Sequence, residues 1–442
     1  MKFYISHWKN TRKHSNSSPA ILGYRNNFMK QKPLFIDDPK VVAFDWVLFI
    51  PVLLLIAVGL VSIYSSTADA NASSYFYRQL SAVGLGLVVM TIIVFLPKNF
   101  VSNATPYIYG ISVLLLVIVL LFGTVIYGTK GWLRIGSFSL QPAELAKFGL
   151  LLGLAKYISS KGVDVRNIRG SGISILLSII PALLIYLQPD HGTVTVIIAI
   201  LGGVLYWAGF NPFILFFIVV IPVLILLALK GFVFYVVGAV VFSGLAILFK
   251  RKIVLTLIAI GIFVSIGFIA PIVYGNLQDH QKSRIETFLN PGNDPRGTGY
   301  NVIQSKMAVG SGGLTGKGFM QGTQTQLRYI PMQRTDFIYS VPTEEFGFLG
   351  GAFVLLLFSV LLVRLVSLAS MFDKFSSVIA AGTAMMFLYH CIINIGMVIG
   401  LIPVMGIPLP FMSYGGSSML INLAVIGIIL NSYRNHKIKR NV

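Results

Sequence analysis

The chain has 442 residues, of which 56% are hydrophobic and only 11% are charged. Soluble globular domains carry about 25% charged residues, so this composition excludes an ordinary soluble protein and indicates a membrane protein. The formal net charge is +20, but the basic residues fall between apolar runs rather than on one face. They predict membrane topology, and we expect no nucleic-acid partner.

The first 42 residues are rich in Lys and Arg, with only Asp37 and Asp38 as acidic residues. They lack the short apolar core and the small-residue cleavage site of a secretion signal. We therefore predict a basic cytoplasmic arm over 1–42, a membrane domain over 43–434 and a basic cytoplasmic tail over 435–442.

Apolar runs follow one another along the membrane domain. A helix crosses the hydrocarbon layer with about 20 mostly apolar residues. Basic residues between the runs fall consistently on one side, which predicts that both termini are cytoplasmic. The breaks between 192 and 248 are weak, so the helix count stays open between ten and twelve. We predict an all-α polytopic membrane helix bundle with a large extracytoplasmic loop, formed from runs at 46–65, 79–97, 106–127, 143–159, 172–188, 192–209, 213–229, 231–248, 253–274, 349–368, 376–400 and 415–434.

The large external loop is a polar stretch over about 275–347. Loops of this length in compact domains are usually functional. It contains a glycine-rich segment, 310–318, and the basic residues Lys317, Arg328 and Arg334. Glycines allow close backbone approach, and basic groups suit a phosphate ligand. A nucleotide-binding loop is not expected, because no strand precedes the glycines and the G-K-[ST] ending is missing.

Asp336 stands in the segment RTDF, just before an apolar run. This position places a carboxylate at or near the external membrane surface. Two interpretations remain open from the residues alone. Asp336 forms a structural ion pair with Arg334 or Arg328, or it is a functional carboxylate in a cleft, since both situations perturb acidic groups.

Further charged residues lie in or between the apolar runs. Glu144 and Lys147 are three positions apart and share a helix face, so we predict an ion pair that lowers the cost of burying both charges. Asp190 is equally suited to cap the next helix or to line a polar cavity. His191 has no partner at metal-ligand spacing and is interpreted as a turn residue.

The run from Asn394 to Ser418 has too many Gly and Pro residues for one unbroken helix. Non-helical backbone at membrane depth is tolerated only where it is buried in protein or lines a cavity. The run therefore predicts either a tight re-entrant turn without ligand contact or the wall of a cavity.

Several motifs together carry a resemblance to a known family. In chain order they are FDWVLF, GWLRIGSFSLQPAELAK, LQPDHGT, GYNVIQSKMAVGSGGLTGKG, GTQTQ, RTDFIYSVPTEEFG and GIPLPFMSYGGSS. From Phe44 to the C-terminus the chain resembles the SEDS family, which includes RodA, FtsW and SpoVE. GYNVIQSK and GTQTQ favour the RodA branch, which is associated with elongation.

The resemblance implies a peptidoglycan glycosyltransferase that polymerises lipid II into β-1,4 glycan strands, by inverting displacement of undecaprenyl pyrophosphate. It implies that Asp336 is the general base. No cofactor is required by this reaction, because the leaving pyrophosphate would be stabilised either by Lys317, Arg328 or Arg334 or by a divalent cation such as Mg²⁺ or Mn²⁺. The residues expected to line the cavity or to contact substrate are Glu144, Lys147, Asp190, Arg134, Lys317, Arg328, Arg334, Glu345, Ser413 and Ser417.

Alternatives to this function are a flippase for the same lipid-linked precursor, an FtsW-like division polymerase and a scaffold of the elongation machinery. A flippase would also use intramembrane charges such as Glu144 and Lys147, but it needs no external base. The chain departs from the family pattern at Arg334, where the family usually has His. An ion pair between Arg334 and Asp336 would lower the pKa of the carboxyl group and weaken it as a base.

A partner protein is expected, because the chain lacks the S-x-x-K, S-D-N and K-T-G set of a transpeptidase. The resemblance implies a class B penicillin-binding protein, together with other membrane proteins of the elongation complex. Small residues of the late runs are predicted to face lipid and to admit a partner helix, and the alternative is that they pack only against the protein's own helices. They are Gly351, Ser359, Ser367, Ala380, Ala381, Gly382 and Thr383.

Overall fold

The computed structural model describes residues 43–440, except 68–72, 98, 127, 136–137, 250–252 and most of 277–297. The predicted arm over 1–42 and the last two residues of the predicted tail lie outside the described residues, as does much of the first half of the external loop. The described part of the chain contains fifteen helices and three strands.

The elements are named here in chain order. They are α1 (Trp46–Ser65), α2 (Ser73–Phe95), α3 (Phe100–Phe122), β1 (Thr124–Ile126), β2 (Thr129–Ile135), β3 (Phe138–Leu140), α4 (Pro142–Ser159), α5 (Ile168–Tyr186), α6 (His191–Trp207), α7 (Pro212–Lys230), α8 (Phe232–Leu248), α9 (Ile253–Gly275), α10 (Thr298–Ser311), α11 (Thr323–Gln326), α12 (Ser340–Glu345), α13 (Gly347–Met371), α14 (Lys374–Val398) and α15 (Gly416–Arg440).

Each of the twelve predicted apolar runs forms a helix, which confirms the all-α polytopic membrane fold. Within the described ranges, nine of these helices are long and apolar enough to cross a membrane. α6 and α8 are apolar but have 17 residues each. α4 carries three charged residues, Glu144, Lys147 and Lys156. The weak break between α7 and α8 is real, because Gly231 lies between them with a φ of 152°.

A small antiparallel sheet between α3 and α4 was not predicted. β2 pairs with β1, placing Thr124 opposite Trp132, and with β3, placing Arg134 opposite Ser139. β-Branched and aromatic residues favour these strands, and Gly128 adopts a φ of 81° in the turn between β1 and β2. The strands were missed because they have only three to seven residues.

Two separate apolar cores hold the helices. The larger core draws on α1–α6, α10 and α12–α15, together with buried residues of the connecting segments. The smaller core lies among α7–α9, where the rings of Phe213, Phe216, Phe217 and Phe263 contact one another. The hydroxyl of Tyr235 on α8 donates to backbone carbonyls of α9, which ties these helices together.

The segment 399–415 between α14 and α15 is not helical, and much of it is buried. This confirms the prediction of a broken segment. α6 approaches it so closely that a Cβ on Gly192 would lie 2.3 Å from the carbonyl oxygen of Met405. Residues 407–413 of this segment are mostly buried in protein, as non-helical backbone at membrane depth requires, whereas 401–406 are half-buried or exposed.

The predicted lipid-facing surface of small residues is wrong. A Cβ on Gly382 would lie 2.4 Å from Cδ1 of Leu151 on α4 and 2.8 Å from Cγ2 of Val204 on α6. Gly351, Ala380, Ala381 and Thr383 are buried too, whereas Ser359 is exposed and Ser367 is half-buried. Small residues mark any close helix contact, and here most of them let the protein's own helices approach.

Candidate active site

Asp336 lies in a turn-rich segment, 331–339, between α11 and α12. Three successive backbone carbonyls of this segment each accept a hydrogen bond. Tyr414 N donates to Arg334 O at 2.8 Å, Ser413 Oγ to Thr335 O at 2.6 Å and Asn394 Nδ2 to Asp336 O at 2.8 Å. The backbone that carries Asp336 is thus fixed against the broken segment and α14.

The side chain of Asp336 is half-buried beside the broken segment. A Cβ on Gly406 would lie 3.7 Å from its Oδ2 atom, so the segment forms a wall next to the carboxylate. Burial raises the pKa of Asp336 to about 6, a hydrogen bond with Thr335 opposes this shift, and the negative charge of Asp190 adds to it. Asp336 is therefore mostly ionised at neutral pH, with a pKa close to that of an efficient general base.

Asp190 caps α6, as one of the two open interpretations predicted. Its Oδ1 accepts from Thr193 N at 3.0 Å and its Oδ2 from Thr193 Oγ1 at 2.9 Å. Gln141 Nε2 also donates to Oδ2, at 3.4 Å. Because the charge of Asp190 also acts on Asp336, the structure brings these two predicted residues together.

The hydroxyl groups of Ser413 and Ser417 both form hydrogen bonds within the protein. Ser417 Oγ donates to Ser139 O at 3.3 Å and accepts from Gln141 N at 3.2 Å. These contacts join the small sheet to the start of α15. Arg134 lies on this sheet, where its side chain is exposed opposite Ser139.

Arg334 stacks on an aromatic ring instead of pairing with Asp336. Its guanidinium lies 4.2 Å from the ring centroid of Tyr75, and that ring contacts Tyr414 at 5.3 Å. No carboxylate in the described part of the chain forms an ion pair with Arg334. The expectation that Arg334 lowers the pKa of Asp336 is wrong, because the pKa is raised.

Glu144 and Lys147 form the predicted ion pair. Lys147 Nζ lies 2.8 Å from Glu144 Oε1, and both side chains are buried in α4. Lys147 is close enough to His390 of α14 to act on it electrostatically. His390 Nδ1 in turn contacts Pro408 O at 2.8 Å, so the pair lies near the broken segment.

A second polar cluster surrounds Glu344, which the sequence analysis did not single out. The carboxylate accepts from Lys317 Nζ at 2.9 Å and from the backbone N–H groups of Gln324 and Thr325, each at 2.9 Å. Burial alone would raise the pKa of Glu344, but these hydrogen bonds outweigh burial and lower it. The predicted phosphate-binding residue Lys317 is thus paired with a carboxylate. The two adjacent acidic residues in the motif TEEFG were the sequence feature that could have identified this cluster.

The glycine-rich segment packs against this cluster. A Cβ on Gly316, which has a φ of 85°, would lie 2.1 Å from Glu345 O, and a Cβ on Gly312 would lie 2.0 Å from Thr343 O. These two glycines permit close approach of the protein's own backbone, a need that only glycine meets. They do not form an open cradle for phosphate.

Glu345 belongs to this second cluster and not to the Asp336 segment. Ser65 Oγ donates to its Oε1, and Gln326 Nε2 lies 3.5 Å from the same atom. Burial raises the pKa of this group, although hydrogen bonds from Ser65, from the backbone of Met320 and from Gln326 oppose the shift. Arg328 is exposed on the following turn, with a φ of 56°.

The fold and the site define a multi-pass membrane protein that holds a carboxylate of raised pKa in a non-helical segment enclosed by helices. A family model for FtsW, RodA and SpoVE, described as "Cell cycle protein", matches residues 45–238 and 232–438. The chain belongs to this family.

Curated relatives match nearly the whole chain. Peptidoglycan glycosyltransferase MrdB of Escherichia coli K12 is 33% identical over 407 residues, covering 91% of this chain and 98% of MrdB. Peptidoglycan glycosyltransferase RodA of Treponema pallidum is 32% identical, with 88% and 97% coverage. Stage V sporulation protein E of Bacillus subtilis is 35% identical, again with 88% and 97% coverage.

Solved structures have the same fold. A chain described under "Structural coordination of polymerization and crosslinking by a peptidoglycan synthase complex" matches with a TM-score of 0.67 and 31% identity, covering 89% of this chain and 99% of that chain. The rod shape determining protein RodA of Thermus thermophilus matches with a TM-score of 0.60 and 27% identity, covering 90% and 99%.

Proposed function

We propose that this protein is a peptidoglycan glycosyltransferase that polymerises lipid II into β-1,4 glycan strands during cell elongation. Relatives of nearly equal length carry the name peptidoglycan glycosyltransferase. The observation that supports Asp336 as the catalytic residue is the environment of its backbone and carboxyl group. Its backbone is fixed by three hydrogen bonds, and its pKa is raised to about 6.

Asp336 acts as general base in a single displacement. Its carboxylate takes the proton from the 4-hydroxyl of the acceptor sugar as the hydroxyl oxygen attacks the anomeric carbon of the donor. The bond to the diphosphate breaks with inversion, which converts the α-linked donor into a β-1,4 linkage, and undecaprenyl diphosphate leaves. A base with a pKa near the working pH is suited to this proton transfer.

Arg334 is the cation that we assign to the leaving diphosphate. It neighbours Asp336 in the chain, and its charge is not offset by a carboxylate among the described residues. Lys317 is less suited, because it is paired with Glu344. A fixed positive charge near the diphosphate stabilises the negative charge that develops as the bond breaks.

A divalent cation would neutralise further charge on the diphosphate. The described residues contain no group of three or more His, Cys, Asp or Glu side chains that would hold a metal ion by themselves. The proposed Mg²⁺ or Mn²⁺ would be held by the diphosphate together with one or two carboxylates, a common ligand set for Mg²⁺. No step of the mechanism is assigned to it.

The proposed location is the bacterial cytoplasmic membrane, with both termini cytoplasmic and Asp336 on the outer side. Basic residues between the apolar runs support this orientation. The proposed partner is a class B penicillin-binding protein, which would cross-link the strands, alongside other elongation-complex membrane proteins. The structural relative described by "polymerization and crosslinking" supports such a pairing.

A flippase for the lipid-linked precursor is the second candidate, favoured by the ion pair of Glu144 and Lys147 within the helix bundle. Charges inside a membrane protein often mark a transport path. The two charges of this pair, however, satisfy each other through their own hydrogen bond. Flipping also requires no general base and so gives no role to Asp336. The two functions therefore differ in their need for that carboxylate.

The deciding experiment uses purified protein and lipid II, and follows glycan strands on a gel. Asp336→Asn keeps the size of the side chain but removes the base, so strand synthesis should fall by about 10²-fold or more. Asp373→Asn is the matched control, because Asp373 is an exposed acid whose carboxylate accepts a hydrogen bond from Ser376 at the start of α14. Near-normal synthesis by Asp336→Asn would overturn the assignment. Flipping of the lipid-linked precursor by both the wild type and Asp336→Asn, without strand synthesis by either, would favour the second candidate.

A further inference from the structure

Asn394 joins the two non-helical segments of the site. It is fully buried in α14, and its Nδ2 donates to Asp336 O and to Ile407 O, each at 2.8 Å. The first acceptor belongs to segment 331–339 and the second to segment 399–415. One amide group of a regular helix therefore connects the base to the wall beside it.

We propose that Asn394 is the positioning residue of the general base, and that its amide sets where the Asp336 carboxylate lies relative to the broken segment. This inference rests on the proposed function, because it assigns Asn394 an effect on the chemical step through Asp336. Asn394 itself does not touch the reacting atoms.

The residue type matches this role. Both acceptors are backbone carbonyls in a buried place, where an unpaired polar group is costly. A side-chain amide carries two N–H groups on one nitrogen, so it can bond two carbonyls, whereas a hydroxyl group has one hydrogen to donate and an alkyl side chain none. Its Oδ1 atom is buried without a hydrogen-bond partner in the described structure. The orientation of the amide thus follows from its two donor contacts.

Of the three bonds to successive carbonyls of segment 331–339, the donors of the other two lie in non-helical backbone. Tyr414 N and Ser413 Oγ both belong to the broken segment itself. Asn394 instead belongs to a helix of 25 residues. One turn earlier on α14, His390 contacts Pro408 O at 2.8 Å, so this face of the helix holds both 407 and 408. Functional groups are placed most accurately when rigid elements support them.

A matched control exists at a distance from the site. Asn431 on α15 is also buried, and its Nδ2 donates to Ile93 O, Val94 O and Leu96 O at 3.1, 3.0 and 2.8 Å. Its contacts are of the same chemical kind as those of Asn394. They hold the end of α2 and do not include segment 331–339.

The experiment compares Asn394→Leu with Asn431→Leu in the purified full chain, using lipid II polymerisation and thermal unfolding in detergent. Both variants should lower the Tm, because each leaves buried backbone carbonyls without their hydrogen-bond donor. Only Asn394→Leu should lower kcat, by about tenfold or more, since a small displacement of a catalytic group costs up to about 10²-fold. KM for lipid II should stay within about twofold, because the amide does not bind substrate.

A kcat loss of the same size in both variants, an unchanged kcat in Asn394→Leu, or a loss confined to KM would each overturn the positioning role. If Asn394→Leu does not fold, Asn394→Asp, which has the same size but lacks the two donors, is judged by the same criteria. Asp336→Asn is measured in the same series. An active Asp336→Asn overturns the base itself, whereas an inactive Asp336→Asn with an unaffected Asn394→Leu overturns only the positioning role.

Discussion

The carboxylates of Asp190 and Asp336 act on each other across the site, although they lie on different segments. Burial is the main cause of the raised pKa of Asp336, and the negative charge of Asp190 adds to it. Asp190 also caps α6 through Thr193. The same residue thus starts a helix and influences the base.

The first prediction concerns the pH dependence of polymerisation. The base works only when it is ionised, so the rate should fall as the pH drops through about 6, the pKa of Asp336. Asp190→Asn removes the like charge, so it should lower the pKa of Asp336 and move this fall in rate, the acid limb of the pH profile, to lower pH. Asn caps helices as well as Asp does, so α6 should persist. Initial rates between about pH 5 and pH 8 measure the limb, and an unmoved limb in Asp190→Asn would contradict the coupling.

The second prediction concerns the pair of Glu144 and Lys147. Removing one partner leaves a buried, uncompensated charge, which costs about 3–5 kcal/mol. Glu144→Ala or Lys147→Ala alone should therefore destabilise the protein more than the double change does. Denaturant unfolding in detergent gives the three free energies. Strictly additive losses at 144 and 147 would count against the pair.

The third prediction contrasts the neighbouring acids Glu344 and Glu345. The pKa of Glu344 is lowered, so its ionised form stabilises the fold at neutral pH, and this stability is lost as the pH falls below the ordinary value of 4.5. Glu344→Gln should therefore cost about 1.5–3 kcal/mol at pH 7, the size of a hydrogen bond to a charged group.

Glu345→Gln should be tolerated at pH 7, because burial disfavours the charge of Glu345 and raises its pKa. Thermal unfolding of both variants at pH 7 tests the contrast. Equal destabilisation by the two changes would contradict the opposite pKa shifts of Glu344 and Glu345.

The fourth prediction concerns Arg334. Arg334→Gln should lower kcat and kcat/KM for lipid II, because the positive charge assigned to the leaving diphosphate is lost. Tyr75→Leu should have a smaller effect of the same kind, since the ring supports the guanidinium at 4.2 Å and such a contact is worth about 0.5–2 kcal/mol. Arg328→Gln is the control on an exposed turn. Steady-state kinetics measure all three, and an effect at Arg328 that exceeds the effect at Arg334 would reverse the assignment.

The sequence predicts the features that depend on nearby residues. Hydropathy over about 20 residues identifies the helices, a spacing of three places Glu144 beside Lys147, and the Gly and Pro residues after Asn394 predict the break. Each of these signals is contained within a short window of the chain.

The features that were missed depend on residues far apart in the chain. Glu344 is held by Lys317, Gln324 and Thr325, and Asn394 contacts Asp336. The small residues near Gly382 show the same limit, because their type indicates a close neighbour but does not identify which helix it is.

The separate aromatic core of α7–α9 has a consequence for how the chain tolerates change. These helices bury Phe213, Phe217 and Phe263 against one another, apart from the core that surrounds Asp336. Substitutions among these rings weaken a group of helices that the base does not depend on. Natural selection can therefore alter α7–α9 to suit a different lipid or a different neighbour while the polymerising site stays unchanged.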